Sequence, residues 1–362
     1  MRLLEVSYLH PKDQKAGGLE RFVSDLSKYF SKYYDVTIVY MTNIKKNSTK
    51  ETKMNVSYFP IYINRLLIPK KLFYNIKLRN INRNGIFNLI HINGDNGGIL
   101  AKKDHKALKI MTIHGNSLQA YNSIKQKLFF IPRLKQFISM LIGYDLEVKG
   151  ITYSNLVTAV SKRTGDSFGM NDRIKTIYNF SSFYSKYMDK EESRKKLHFD
   201  QNEVYAIWVG RDRIRKGLDI AIESVLKTKK IKLLVCGISG KSTDRIIFFD
   251  NVNDEILLDL LNSSDIFLFP SVYEAFSMAI LEALQIGLTV IISDKIGNAE
   301  VLENEKTAYL ASNDDQFAKY LLNIEQDKTK IFDRAYISNI FKDYSIEKVG
   351  NKFKEMIDLY SK

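Results

Sequence analysis

Two glutamates in the stretch from Ser264 to Val301, Glu274 and Glu282, stand eight residues apart. The second lies inside a helix predicted from about Ser277 to Gln285, with Met278, Ile280, Leu281 and Leu284 on its apolar side and Gly287 placed as a C-cap. Eight helical residues would turn one carboxylate about 80° from the other, so the two are not a simple helix-face pair. Glu274 instead precedes the helix, and Glu282 follows the first turn by roughly 7.5 Å along the axis. Between them point the amides of Phe276, Ser277 and Met278, with the positive end of the helix dipole behind. Acid, anion hole, acid suits a molecule with hydroxyls at both ends and phosphates in the middle, as in a nucleotide sugar.

A second set of charges lies upstream. The strand Tyr205 to Val209 runs into Gly210, Arg211, then Lys216 and Gly217 at the start of a helix from Leu218 to Leu226. A guanidinium fork and a flexible ammonium five residues apart in one loop suit a pyrophosphate. Each charge-assisted bond would contribute about 1.5–3 kcal/mol, and in a transfer reaction both cations would stabilise a leaving diphosphate. Arg213 and Arg215 in the same loop read as basic surface residues.

In the N-terminal half, Gly17 and Gly18 open a helix from about Leu19 to Tyr33, where a backbone without side chains can approach a ligand. No GxGxxG follows the first strand, which disfavours a dinucleotide cofactor. His91 and His114 fall at the carboxyl ends of strands, where open α/β sheets bind ligands. Asn93, Gly94 and Asp95 form a candidate acceptor loop. No Asp-x-Asp pair occurs, so a metal bridging phosphates is not expected, and neither is any cofactor beyond the sugar donor itself.

The elements that must position these residues alternate. Strands at Arg2–Leu9, Val36–Met41, Val56–Ile61, Leu89–Ile92, Ile110–Ile113 and Leu156–Val160, with helices between several of them, predict a parallel sheet covered on both faces. A second series follows: Tyr205–Val209, Lys232–Cys236, Ile246–Phe249, Ile266–Phe269, Thr289–Ile292 and Thr307–Leu310, then helices at 314–324, 328–341 and 345–360. The 362 residues are ample for two such domains. We place them at 1–170 and 171–344, with 345–362 as a terminal helix and the link near 168–182.

Residues 1–170 hold 27 Lys and Arg against 11 Asp and Glu, so the whole net charge of +14 lies in the first half. Such asymmetry points to an anionic partner. Two basic, aromatic segments carry it, Arg65–Arg83 and Lys125–Tyr144. In the second, Leu134, Phe137, Ile138, Leu141 and Ile142 share one helical side beside Arg133 and Lys135, and Pro132 interrupts it. This segment is open between an interfacial helix on anionic lipid and an ordinary core-facing helix. No nucleic-acid module is present. The single Cys236 sits in a strand-like run and excludes a disulfide framework. Neither a secretory signal nor about 20 consecutive apolar residues is found, so a cytoplasmic protein, peripheral on the inner face of the cell membrane, is expected.

The pattern Pro270-Ser271, Glu274, Glu282, Gly287 and Gly297-x-x-Glu300 resembles the donor-binding signature of retaining glycosyltransferases of family 4. That resemblance implies the GT-B fold, an α/β architecture of two Rossmann-like parallel-sheet domains facing a central cleft. The first domain would bind the acceptor and the second the donor, and the last helix would cross back to the first. It further implies that Gly17 and Gly18 lie over the donor phosphates and that Glu282 holds the ribose. Glu274 would hold the sugar hydroxyls, Arg211 and Lys216 would neutralise the diphosphate, and His114 would contact the sugar. Gly210, Phe276, Ser277, Met278 and Glu300 complete the donor set, with Asn93 and Asp95 on the acceptor. The implied reaction is metal-independent hexosyl transfer, with retention by a front-face displacement, from a UDP- or GDP-linked donor to a lipid-linked saccharide in surface or capsular polysaccharide synthesis. A soluble protein glycosyltransferase and a non-catalytic GT-B partner subunit are the alternatives. The sequence departs from the family where Phe180 follows Asn179, and at Ser277, Ala279 and Thr289, where Gly, Gly, Pro and Pro are common.

Overall fold

The structure, a computed structural model, describes residues 1–11, 13, 16–43, 51–53, 55–63, 69–181, 189–250 and 252–360. The beginning of the Arg65–Arg83 segment and residue 182 of the expected link lie outside the described residues. The chain divides into two compact units, Met1–Asn179 with Ile346–Lys362, and Phe180–Ser345. The division falls after Asn179 rather than after 170, because Ile174–Thr176 still pairs into the first sheet. The terminal segment is part of the first unit.

The first unit comprises β1 (Arg2–Val6), α1 (Gly18–Phe30), β2 (Asp35–Thr42), β3 (Glu51–Lys53), β4 (Val56–Tyr62), α2 (Lys70–Leu78), β5 (Leu89–Asn93) and α3 (Gly98–Lys103). These are followed by β6 (Leu108–Ile113), α4 (Ser117–Ile124), α5 (Phe130–Tyr153), β7 (Leu156–Ala159), α6 (Lys162–Asp166) and β8 (Ile174–Thr176). Its sheet runs β3-β4-β2-β1-β5-β6-β7-β8, parallel except for the short β3, which pairs antiparallel with β4. The central strands are continuous apolar runs because both faces are covered: Leu4, Val6, Ile90, Ile92, Met111, Ile113 and Val157 pack one core. Against this background the buried Glu5, His91, Asn93, Thr112 and Thr158 stand out as polar side chains inside the sheet.

Pro132 does not interrupt the helix expected at Lys125–Tyr144. It lies in the first turn of α5, where a missing N–H costs nothing, and the helix runs on to Tyr153. The front of α5 is not core-facing within this chain. Every residue from Phe129 to Ser139 is exposed, with Phe129 at 87%, Phe130 at 80% and Ile131 at 66%.

The second unit comprises α7 (Lys190–Lys196), β9 (Tyr205–Val209), α8 (Leu218–Leu226), β10 (Lys232–Cys236), β11 (Ile246–Phe249), α9 (Asp254–Ser263) and β12 (Ile266–Phe269). It continues with α10 (Met278–Ile286), β13 (Thr289–Ser293), β14 (Tyr309–Ala311), α11 (Asp314–Gln326) and α12 (Arg334–Phe341). The expected helix 328–341 is split, because Asp333 caps a new start: its side chain accepts from the Tyr336 amide. All six strands are parallel in the order β11-β10-β9-β12-β13-β14. Counted along the chain this is 3-2-1-4-5-6, the doubly wound order, which opens a ligand crevice at the carboxyl ends of the two strands where winding reverses, β9 and β12. In the first unit the reversal lies between β1 and β5. The last helix, α13 (Ile346–Tyr360), packs on α1 within the first unit, where Tyr29 meets Gly350 and Asn351.

Candidate active site

In the second unit the loop leaving β9 and the loop leaving β12 meet at the reversal point. The β9 loop is held from below by Trp208, whose buried indole N–H donates to the Lys216 carbonyl at 2.9 Å. Gly217 adopts φ +67°, and a Cβ there would lie 2.0 Å from the Pro270 carbonyl oxygen, so only glycine lets the two loops touch. Ser271 locks the other side by donating to the Arg215 carbonyl at 3.0 Å.

This packing turns one arginine inward, and it is Arg215. Its Nη1 donates to Glu274 Oε1 at 2.9 Å and its Nε to Asp212 Oδ2 at 3.1 Å. Lys216 Nζ lies 3.7 Å from the same Glu274 oxygen and 4.9 Å from the centre of the Phe269 ring. Arg211 is exposed on the loop, with its stem near Gly237. Arg213 is a surface pair with Asp219. Reading Arg215 as a surface residue was therefore incorrect; the available signal was Asp212, three residues ahead, which orients it. Arg215 is shared between Asp212 and Glu274, and Lys216 adds a second, longer contact to Glu274, so two cations balance two carboxylates at the front of α10. The longer Lys216 contact is the easier of the two to exchange for a phosphate oxygen, while Arg215 keeps Glu274 in place.

Ser277 stands at the N-cap of α10, but its side chain makes no capping bond. Its amide is not free for an anion: it donates to Asn298 Oδ1 at 2.6 Å, and Asn298 Nδ2 returns a bond to the Ser277 carbonyl at 3.1 Å. Asn298 is fully buried and comes from the turn Gly297–Val301, which also carries Glu300. The first-turn amides without an intrahelical partner are thus those of Met278, Ala279 and Ile280. Phe276 is buried and stacks on Tyr344, and Glu282 is buried inside α10. Cys236 is buried, with its thiol pushed up to about 12 by that burial.

In the first unit, Gly17 precedes α1 with its N–H donating to Glu20 Oε2 at 2.8 Å, so the amide is held by a carboxylate of its own helix. Its exposed backbone has a negative φ, and a Cβ there would make only an ordinary contact with Glu20 Oε2 at 3.7 Å, so internal packing does not require a glycine there. Gly18 begins the helix. At the end of β5, Asn93 is buried and its amide faces inward, donating to Glu5 Oε2 at 3.1 Å and accepting from His114 Nε2 at 3.0 Å. It therefore holds other protein groups, and the expected acceptor contact falls to Asp95, whose side chain is ion-paired with Lys71. His114 packs edge-on against Phe22, with centroids 4.6 Å apart. Desolvation, and then His91, push its pKa down to about 3, so it is neutral in the free protein. His91 is a buried partner of Glu5 at 3.0 Å.

Near Asp95 lies an acid that the sequence reading missed. Glu147 of α5 is buried, receives the Ser117 amide at 3.0 Å and the Ser117 hydroxyl at 2.8 Å, and has its pKa raised to about 8 by desolvation and then by Asp95. No sequence motif marks it, because Ser117 and Asp95 reach it from different elements. Among the described residues no three His, Cys, Asp or Glu side chains cluster as a metal site, and no helix is long and apolar enough to cross a membrane.

Comparison with known proteins bears on both units. The chain is alike in fold to a sucrose-phosphate synthase from Thermosynechococcus elongatus, with a TM-score of 0.81 over 100% of this chain and 99% of that one at 17% identity. It is 25% identical over 284 residues to a capsular polysaccharide biosynthesis glycosyltransferase of Staphylococcus aureus, covering 72% of this chain and 70% of the relative. It is 34% identical over 101 residues to a UDP-Gal:alpha-D-GlcNAc-diphosphoundecaprenol alpha-1,3-galactosyltransferase of Escherichia coli, covering 27% of this chain and 26% of the relative. The chain spans half or less of the length of the first curated relatives it matches. Residues 189–343, nearly all of the second unit, match the family model of glycosyl transferases group 1.

Proposed function

We propose that this protein is a retaining, metal-independent hexosyltransferase of family 4, which moves a sugar from a UDP- or GDP-linked donor to a lipid-linked saccharide in surface polysaccharide synthesis. The observation that carries this reading is Glu274 held by Arg215 and approached by Lys216 at the front of α10. The second unit takes the donor. Lys216 and the first-turn amides of α10 bind the diphosphate, Glu274 accepts hydrogen bonds from the sugar hydroxyls, and the buried Glu282 holds the ribose. Gly210 and Arg211 belong to the β9 loop, and Glu300 to the turn Gly297–Val301.

In the transfer step the acceptor oxygen forms a bond to the anomeric carbon as the bond from that carbon to the diphosphate oxygen breaks. The acceptor's hydroxyl proton passes to the leaving phosphate, giving a glycoside and a nucleoside diphosphate. Lys216 and the dipole of α10 stabilise the charge that develops on the leaving group, the part a metal ion plays elsewhere.

The first unit takes the acceptor, beside Asp95. The exposed apolar front of α5, Phe129 to Ser139, is flanked by Lys125, Lys127, Arg133 and Lys135 in a stretch, 105–144, whose sequence holds no Asp or Glu, which suits an anionic lipid surface. This favours a peripheral membrane enzyme over a soluble protein glycosyltransferase. The test is a screen of nucleotide sugars for hydrolysis or transfer with a chelator present, with the product's anomeric configuration read by NMR. Turnover of one donor with retained configuration is expected; absence of turnover or of thermal stabilisation with every donor would overturn the proposal.

A further inference from the structure

We infer that Glu5, acting through Asn93, fixes the neutral His114 as its Nε2–H tautomer, so that His114 Nδ1 is a hydrogen-bond acceptor that selects a substrate hydroxyl. Glu5 and Asn93 are positioning residues in this account. Their arrangement stands on geometry alone; what His114 does with it rests on the function proposed above.

The orientation of the Asn93 amide is forced by its neighbours. Its Nδ2 faces Glu5 Oε2 at 3.1 Å and the Val6 carbonyl at 3.3 Å, and a carbonyl can only accept. Its Oδ1 must therefore be the atom 3.0 Å from His114 Nε2, and since a carbonyl oxygen cannot donate, that nitrogen carries the proton. Glu5 is itself immobile. It is fully buried in β1, and its other contact is His91 Nδ1, while His91 Nε2 meets Thr112 Oγ1 at 2.7 Å and Thr112 meets Thr158 at 2.9 Å. The chain of contacts thus crosses four adjacent strands, β1, β5, β6 and β7, and ends at the one half-buried member, His114.

A second proton on His114 is disfavoured by burial and by His91. No described residue hydrogen-bonds to His114 Nδ1. An unprotonated ring nitrogen can accept from an O–H but has nothing to offer a fluorine or an ether oxygen. The site therefore discriminates a hydroxyl from its deoxyfluoro or O-methyl replacement at the sugar position that His114 meets. A polar site left unpaired by the wrong substrate is a strong discriminator.

The tautomer is read directly by long-range proton–nitrogen NMR on protein labelled at its five histidines, with His114 assigned by loss of its signals in His114→Gln. The expected result is a single Nε2–H form; an Nδ1–H form or an imidazolium near neutral pH would overturn the inference. In Glu5→Leu and in Asn93→Leu both tautomers should appear. A folded Glu5→Leu with an unchanged Nε2–H signal would remove Glu5 from the account, and if that variant does not fold, Asn93→Leu decides in the same way. With the donor found by the screen, the deoxyfluoro analogues should include one that loses at least tenfold in kcat/KM, and that loss should shrink in Asn93→Leu. Equal turnover of all analogues would overturn the selecting role. A chain with the stated tautomer and no transferase activity would leave the positioning intact and overturn only the functional reading.

Discussion

Glu147→Gln is expected to stabilise the protein, and only above acidic pH. The folded chain holds the Glu147 proton up to a pKa of about 8, while the unfolded chain releases it near the ordinary 4.5. Between those values the unfolded state binds fewer protons, so wild-type stability falls as pH rises, by up to about 1.36 kcal/mol per pH unit. At pH 7 the accumulated loss is about 3 kcal/mol as an upper figure, and it stops growing above the folded-state pKa. Glutamine has no proton to lose. Its oxygen can accept from the Ser117 amide and its nitrogen can donate to the Ser117 hydroxyl, which reproduces both contacts of the protonated acid. The variant should match wild type near pH 4.5 and exceed it at pH 7 by roughly 2–3 kcal/mol, or about 4–12 °C in Tm for a unit of this size. The assay is thermal and urea unfolding by circular dichroism at pH 4.5, 6, 7 and 8. The single Trp208 lies in the second unit, so its fluorescence separates that unit's transition from the first. A variant less stable than wild type by the same amount at every pH would refute the reasoning, since it would mean that Glu147 is ionised in the fold and held by Lys71.

His114 acts with the opposite sign: with its folded pKa near 3, stability is lost as pH falls below about 6.5, and His114→Gln should flatten that acid limb in the same unfolding series. Gly217→Ala should cost about 1–3 kcal/mol from the positive φ alone, and more from the clash with Pro270, with donor binding lost as the loop shifts; calorimetric unfolding and donor titration measure both. Arg215→Lys should lower kcat/KM at least tenfold, about 1.4 kcal/mol, because an ammonium cannot span Glu274 and Asp212 as the guanidinium does, whereas Arg213→Lys should change it little. Sedimentation with anionic vesicles should be weakened by high salt and by Phe129→Ser/Phe130→Ser; equal sedimentation of that variant would place the lipid contact elsewhere.

The alternation of strands and helices was legible because each buried parallel strand is an apolar run bounded by turn residues, and the 210–217 loop was legible because glycine and charge concentrate in it. What the sequence hid depends on distance in space. Which arginine of the 210–217 loop turns inward is decided by Ser271 and Glu274, more than 50 residues on, so Arg215 was passed over for Arg211. The Ser277 amide was counted as open because its partner, Asn298, lies 21 residues away. Asn93 looked like a ligand contact until Glu5 and His114 were seen to occupy its amide, and Glu147 carried no signal. The α5 segment read equally well as core or surface, since a one-sided apolar pattern states that a face is covered without stating by what. The three-residue β3 was too short to register.

The central claim is that the second unit binds a nucleoside diphosphate through Lys216 at the front of α10. Isothermal titration of UDP and GDP into wild type and Lys216→Ala, with a chelator present, tests it most directly. One nucleotide should bind wild type with at least tenfold higher affinity than it binds the variant, while both proteins unfold at the same temperature without ligand. Equal affinity in the two proteins, or binding of neither nucleotide to wild type, would contradict the account.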